Sequence, residues 1–372
     1  MTGGEVFVTG MLRSGTTLAQ TLMTNHPDML VAYQPFHQFY VDVKRLFLER
    51  NAIARPLPLD DGDPARRPEQ DRFLAWLAEH RFDAAQAAEL ATRATTGKGG
   101  GLPGFAELPA TAGTFFDLWR SWHAVLAARL ADGRAALAGS KEVLCEEYVP
   151  ALRAAGIRCV LVVRDPRGAI ASANNGAYRA MVGDRYPLMM LIRAWRKSAA
   201  YWLRFKDDPG VFALRYEDLV ESPDETLAGL ASWLGVAPFP ENIAQGPFRD
   251  HWGRPWSGNS SFGSKPGVDR TAARGWERLL GEPEQRFIAA CTHLELARLG
   301  YPVQDAPREA DIADFREDTR GVRAAYLADH PVDGDARRYE LERLASALRG
   351  GGGGDHGRFF LFPPAAGQAD PR

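Results

Sequence analysis

The sequence predicts an α/β fold of three layers, built on a mainly parallel central sheet and interrupted by a helical insertion. Three apolar runs, residues 6–8, 159–163 and 211–213, carry that prediction. Each reads as a short buried strand, and each passes through a loop into a helical pattern. Strands alternating with helices build parallel sheets covered on both faces. Ligands of such sheets bind at the carboxyl ends of the strands. Arg13, Arg164 and Tyr216 all follow strand ends, so one site can collect them.

The first element is the most informative. Residues 6–18 read Val-Phe-Val-Thr-Gly-Met-Leu-Arg-Ser-Gly-Thr-Thr-Leu. A strand leads into a tight loop from Gly10 to Gly15, and Leu18, Leu22 and Met23 then share one face of a helix. The arrangement is P-loop-like: backbone N–H groups of Ser14, Gly15, Thr16 and Thr17 converge with the helix N-terminus on an anion. Nucleotide triphosphatases carry G-x-x-x-x-G-K-[ST] here. In this chain Thr16 takes the lysine position, and Arg13 supplies the positive charge from within the loop. The cradle therefore suits an anion other than the end of a triphosphate.

Residues 51–135 interrupt the alternation. Pro56, Pro58, Pro64 and Pro68 come first, then a helical pattern over 71–95, a Gly-rich hinge over 97–104, and a helix carrying Phe115, Phe116, Leu118, Trp119 and Trp122. That aromatic stripe at helical spacing reads as core rather than as a ligand pocket. Residues 136–240 return to strand–helix alternation. Gly139-Ser140-Lys141-Glu142 precedes the second strand run. That run ends in Arg164-Asp165-Pro166-Arg167-Gly168, and Pro166 fits the first turn of a helix that contains Ser172. A forked guanidinium and a hydroxyl suit a phosphate monoester. Tyr216 stands in Leu-Arg-Tyr-Glu-Asp-Leu after the third strand. A polar loop follows with Ser260, Ser261, Lys265, Arg270, Arg274 and Trp276, then a helix stopped by Leu299-Gly300-Tyr301-Pro302. The expected division is one domain over 1–303, an extension over 304–349 with a charged helix from about 335 to 348, and a Gly-rich flexible tail over 350–372.

Composition excludes several classes. The formal net charge is −2, which gives no footprint for bulk nucleic-acid binding. The three cysteines, Cys145, Cys159 and Cys291, lack metal-ligand spacing, and no His or carboxylate cluster suggests a metal. No secretory leader or membrane span is readable, so the expected compartment is the cytoplasm.

Arg-Ser-Gly-Thr-Thr-Leu after an apolar strand resembles the phosphosulfate loop of sulfotransferases that use 3′-phosphoadenosine 5′-phosphosulfate (PAPS). The tyrosylprotein and carbohydrate branch and related bacterial enzymes are the nearer match. The resemblance implies that the loop holds the 5′ end of PAPS. It implies that Arg164 and Ser172 hold the 3′-phosphate, that Tyr216 lies near the nucleotide, and that Lys141 sits near the bridging oxygen. Ser261 and Arg274 would close over the nucleotide. The product nucleotide would be adenosine 3′,5′-bisphosphate (PAP), and no metal is required. Residues 51–135 become the acceptor lid, and the acceptor a hydroxyl of a glycan, lipid or secondary metabolite. Animal members are Golgi membrane proteins, so a cytoplasmic chain departs from them. Ala, Arg and Gly richness is of the kind seen in high-GC bacteria.

The general base is where the sequence leaves the pattern. Relatives often carry a Glu just before Pro-Phe; here the segment is Ala32-Tyr33-Gln34-Pro35-Phe36-His37. Gln34 cannot take a proton near neutral pH. Three alternatives stand open: His37 as base, a histidine of the insertion such as His80 or His123, or Gln34 orienting an acceptor that is already acidic. Two other function classes also stand open. One is a P-loop kinase or nucleotidase, disfavoured by the missing lysine. The other is a nucleotide- or glycan-binding protein without turnover, which Gln34 keeps in play.

Overall fold

The computed structural model describes residues 4–54, 58–96, 108–130, 136–256, 266–302, 305–349 and 356–363. Strand β1 (Gly4–Gly10) leads into helix α1 (Thr16–Thr24), then β2 (Met29–Tyr33) and α2 (His37–Arg50). The insertion contributes α3 (Arg67–Glu79), β3 (Arg81–Phe82), α4 (Ala84–Thr96), β4 (Gly113–Thr114) and α5 (Phe115–Leu130). The core resumes with β5 (Leu137–Lys141), α6 (Val149–Ala154), β6 (Arg158–Val163), α7 (Pro166–Asn174), α8 (Ala177–Val182) and α9 (Leu188–Phe205). It continues through β7 (Val211–Arg215), α10 (Tyr216–Glu221) and α11 (Pro223–Leu234). A 3-10 helix over Arg270–Arg278 precedes α12 (Glu282–Cys291) and α13 (His293–Leu299). Two single-turn helices, α14 (Ala310–Ala313) and α15 (Ala324–Leu327), lead to α16 (Gly334–Leu348).

Five strands form one parallel sheet in the order β2-β5-β1-β6-β7. Its side chains alternate between two cores, as the period of two in a strand requires. Val6, Val8, Val160 and Val162 pack on one face with Leu22 of α1 and Leu230 of α11. Phe7, Cys159 and Leu161 pack on the other with residues of α2, α5 and α6. Both faces are covered, which explains why the β6 run is apolar throughout.

The strands β2 and β5 go beyond what the sequence reading resolved. β5 is Leu-Ala-Gly-Ser-Lys, poor in β-branched residues. Its central Gly139 is needed for contact with β1, since a Cβ there would lie 1.7 Å from the Val6 carbonyl oxygen. The helical pattern expected over 71–95 is two helices, α3 and α4. They are split by β3, which pairs antiparallel with β4. The aromatic stripe of α5 is core: Phe115, Trp119 and Trp122 are fully buried. Trp119 Nε1 donates to Tyr40 Oη at 2.7 Å, and Phe115 stacks on Phe39 with centroids 5.2 Å apart.

Two buried charge networks bind the layers together. Lys197 of α9 reaches Asp60, Glu146 and Glu147 at 2.8, 2.9 and 2.8 Å, tying the start of the insertion to the core. Arg196 pairs with Glu340 and Arg343 with Glu295, fastening α16 onto α9 and α13. Charges this deeply buried persist only when paired and hydrogen-bonded. Helix α13 stops at Gly300, whose φ of 70° supplies the left-handed cap expected at that position. Among the described residues no helix is long and apolar enough to cross a membrane.

Candidate functional site

The carboxyl ends of β1, β2, β5, β6 and β7 bring the segments that follow them to one rim. The β1–α1 loop is tightly fixed. A Cβ on Gly10 would meet the Val162 carbonyl oxygen at 2.3 Å. Gly15 has φ 94°, and a Cβ there would strike the Tyr216 ring at 2.2 Å. Arg13 adopts φ 64°, a conformation that costs a non-glycine residue energy and recurs at functional sites. Helix α1 opens at Gly15, where among the described residues no side chain caps it, and a helix N-terminus of this kind favours an anion. Within the loop, the Ser14 hydroxyl is buried and among the described residues has no hydrogen-bond partner. A buried hydroxyl left in that state costs free energy unless something occupies the cradle.

The β6–α7 segment meets this loop directly. Arg13 Nε donates to Ser172 Oγ at 3.0 Å, and Arg164 donates to the Arg13 carbonyl at 3.2 Å. Arg164 also donates to the Ala272 carbonyl at 2.7 Å, and its guanidinium lies 4.2 Å over the Tyr216 ring. Asp165 caps α7 by accepting from the Arg167 N–H at 2.8 Å. Its own N–H donates to Glu217 at 3.1 Å, and Glu217 accepts from Tyr301 Oη at 2.8 Å. Burial and repulsion from Arg164 both hold Arg13 below the usual arginine pKa. Tyr216, Val220, Ala272 and Ala273 form a small apolar cluster with Leu18 and Val268. A cavity of about 290 Å³ adjoins it, lined by Pro223, Ala244, Gln245, Val268 and Arg270.

The β2–β5 pairing places the remaining groups. Tyr33 and Lys141 are register partners, so Gln34 and Glu142 are the next residues out on neighbouring strands. Lys141 is buried, its ammonium 3.9 Å from the Tyr33 ring centroid and 3.3 Å from Gln34 Oε1, to which it donates. Burial, with repulsion from Arg13, lowers the Lys141 pKa from 10.5 to about 7. Gln34 has φ 43°, and its N–H donates to the Lys141 carbonyl at 2.9 Å. His37 begins α2, with Nδ1 3.5 Å from Glu142 Oε2.

The structure thus brings together Arg13, Ser14, Gly15, Thr16, Thr17, Lys141, Arg164, Ser172 and Tyr216, with Gln34 against Lys141 and His37 against Glu142. Arg274 is exposed and ion-paired to Glu277 at 2.9 Å, and it lines a second cavity of about 320 Å³ with Asp165, Arg167, Glu217 and Trp276. From that segment, the Ala272 carbonyl is what touches Arg164. Ser261 lies outside the described residues. His123 is structural: Nδ1 bonds the Trp119 carbonyl at 2.8 Å, Nε2 bonds Ser140 Oγ at 2.9 Å, and burial lowers its pKa to about 3. His80 stacks on Trp76 within the insertion, at 4.5 Å between centroids.

Glu142, Tyr33 and the Ala272 carbonyl escaped the sequence reading. Glu142 adjoins Lys141 in the chain, but its approach to His37 depends on the β2–β5 pairing. Among the described residues no group of three or more His, Cys, Asp or Glu side chains is arranged to hold a metal.

The sequence model of the family described as "Sulfotransferase family" matches residues 5–241. The chain is similar to the sulfotransferase domain from the curacin biosynthetic pathway, at 18% identity and a TM-score of 0.44, covering 81% of this chain and 99% of that one. It is similar to the sulfotransferase domain of the Synechococcus PCC 7002 olefin synthase, at 15% identity and a TM-score of 0.40, covering 81% and 96%. A sulfotransferase from Mycobacterium avium matches at 17% identity and a TM-score of 0.33, covering 65% and 66%. No curated protein matches the chain.

Proposed function

Because this chain belongs to the sulfotransferase family, we propose that it transfers a sulfuryl group from PAPS to a hydroxyl of an acceptor such as a glycan, lipid or secondary metabolite. The observation that carries the choice of donor is the junction of the two loops. Arg13, Ser172 and Arg164 meet beyond the ends of adjacent strands, beside the N-terminus of α1 and the buried Ser14 hydroxyl, which among the described residues has no partner. A nucleotide with phosphates at both 3′ and 5′ positions matches two cationic subsites better than a triphosphate, whose outer phosphates would lack the usual loop lysine. Arg164 and Ser172 hold the 3′-phosphate, Tyr216 packs beside the nucleotide, and the base occupies the cavity beyond Val268.

The reaction is an in-line displacement. The acceptor oxygen forms a bond to sulfur while the bond from sulfur to the bridging oxygen breaks, and the electron pair leaves with the 5′-phosphate of PAP. Loop amides and Arg13 stabilise the equatorial oxygens, as in phosphoryl transfer. Lys141, protonated in the presence of the anionic donor, neutralises the bridging oxygen. Gln34 positions that ammonium. His37 takes the proton of the acceptor hydroxyl.

The test is incubation with PAPS and a panel of hydroxyl acceptors, with sulfated product and released PAP both measured by mass spectrometry. Equal amounts of the two support the reading. Phosphorylated product from ATP in the same panel would favour a kinase. PAP binding without turnover across the panel would favour a binding protein.

A further inference from the structure

Resting on that reading, we propose that Glu142 is the positioning residue for His37: its carboxylate accepts the Nδ1 proton, fixes the imidazole tautomer and leaves Nε2 to take the proton of the acceptor hydroxyl. Glu142 is fully buried directly after β5, and the His37 side chain is 22% exposed at the start of α2. Nδ1 and Oε2 are 3.5 Å apart, and among the described residues neither atom makes a hydrogen bond. Each is the nearest complementary group for the other, and a small approach of the imidazole would pair them. Catalytic hydrogen bonds are often long in a free enzyme and tighten when the substrate is bound.

The rest of Glu142 is anchored. Oε1 accepts from the Phe36 N–H at 3.2 Å, and Phe36 precedes His37 at the N-terminus of α2. The carboxylate therefore caps α2 from a neighbouring strand while its second oxygen addresses the first side chain of that helix. Burial raises the Glu142 pKa, and His37, the Phe36 N–H and Lys141 each pull it back. Tyr40 and Cys145 are the other titratable groups within electrostatic reach of Glu142, and burial keeps both neutral by raising their pKa. Lys141 is the one competing cation among these, and its ammonium is turned to Gln34 and the Tyr33 ring. In a family whose members often place a glutamate where this chain has Gln34, the arrangement moves the carboxylate one layer back and puts an imidazole in front of it.

A capping role alone predicts something different. Glu142→Gln keeps an oxygen for the Phe36 N–H and removes the charge, so a pure cap would leave His37 unaffected. The experiment is a histidine-labelled NMR titration of the full chain without ligand, with His37→Asn identifying the resonance. In the unsubstituted protein the neutral His37 ring should carry its proton on Nδ1. In Glu142→Gln the amide oxygen stays on the Phe36 N–H and the amide NH2 faces Nδ1, so the neutral ring should switch to the Nε2-protonated tautomer. kcat should fall with it at unchanged KM for PAPS. An Nε2-protonated ring in the unsubstituted protein, or a tautomer unchanged by Glu142→Gln, would overturn the proposal. The tautomer decides the matter even if the variant does not fold. The NMR readout needs no turnover, so it fails or succeeds separately from the assignment of PAPS as donor.

Discussion

Gln34→Glu sets a carboxylate against Lys141, at the position where the family resemblance implies a Glu. In the present chain the lysine ammonium faces an amide oxygen 3.3 Å away and a second cation, Arg13, and burial brings its pKa to about 7. Two unit charges at that separation attract by roughly 5 kcal/mol at an effective dielectric near 20. Measured responses to an opposite charge at such range are about 1–3 pKa units. The Lys141 pKa should therefore rise to between about 8 and 10. Lysine-labelled NMR reads this directly, with Lys141→Met identifying the resonance. Affinity for PAP gives a second readout. In the unsubstituted protein binding should weaken as pH climbs past neutrality and Lys141 loses its proton. In Gln34→Glu that decline should flatten, because the lysine stays charged and its new partner offsets the charge. A Lys141 that titrates as an ordinary lysine, or one indifferent to Gln34→Glu, would refute the reasoning about both residues.

Lys141 also bears on stability. Its folded pKa lies below its unfolded value, so the unfolded chain holds the extra proton between about pH 7 and 10.5, and stability rises with pH across that window. Lys141→Met should remove this slope, worth about 1.4 kcal/mol per pH unit at most. The variant should be more stable than the parent at pH 7 in urea melts while losing transfer. Gly15→Ala should abolish PAP binding, since the new Cβ would collide with Tyr216 in a left-handed backbone; calorimetry checks it, with circular dichroism to show that the fold survives. Glu340→Ala leaves Arg196 buried without its carboxylate and should cost about 3–5 kcal/mol in denaturant unfolding.

How much of this was readable from the chain depended on the range of the cause. The β1–α1 cradle was legible because its constraints are local: two glycines at fixed spacing, an apolar strand before them and helical spacing after. The meeting of the Arg13 loop with the Arg164 segment was legible as a common rim, since Arg13 and Arg164 both follow strand ends of a parallel sheet, though the bond from Arg13 to Ser172 of α7 is a fact of packing. β5 was obscured by its small residues, whose strand conformation is imposed by neighbours on both sides rather than by propensity. The break between α3 and α4 turns on the short β3–β4 pairing, which joins segments about thirty residues apart. Glu142 followed Lys141 in a run with no strand assigned to it; only the register of β2 against β5 shows that it faces His37. Likewise Lys197, one basic residue within a helix, gave no sign that it would sit among three carboxylates.

The central claim is that the rim holds a nucleotide phosphorylated at both 3′ and 5′ positions. Thermal unfolding in the presence of PAP, ATP or adenosine 5′-monophosphate tests it most directly, because a ligand that binds only the folded chain raises its stability, by about 2.7 kcal/mol at a hundredfold excess over Kd. The account predicts a clear rise in Tm with PAP, a far smaller one with the monophosphate that lacks the 3′ group, and none with ATP beyond that of the monophosphate. Stabilisation by ATP equal to or above that by PAP, or no response to PAP at all, would contradict the roles given to Arg164 and Ser172 and the choice of donor with them.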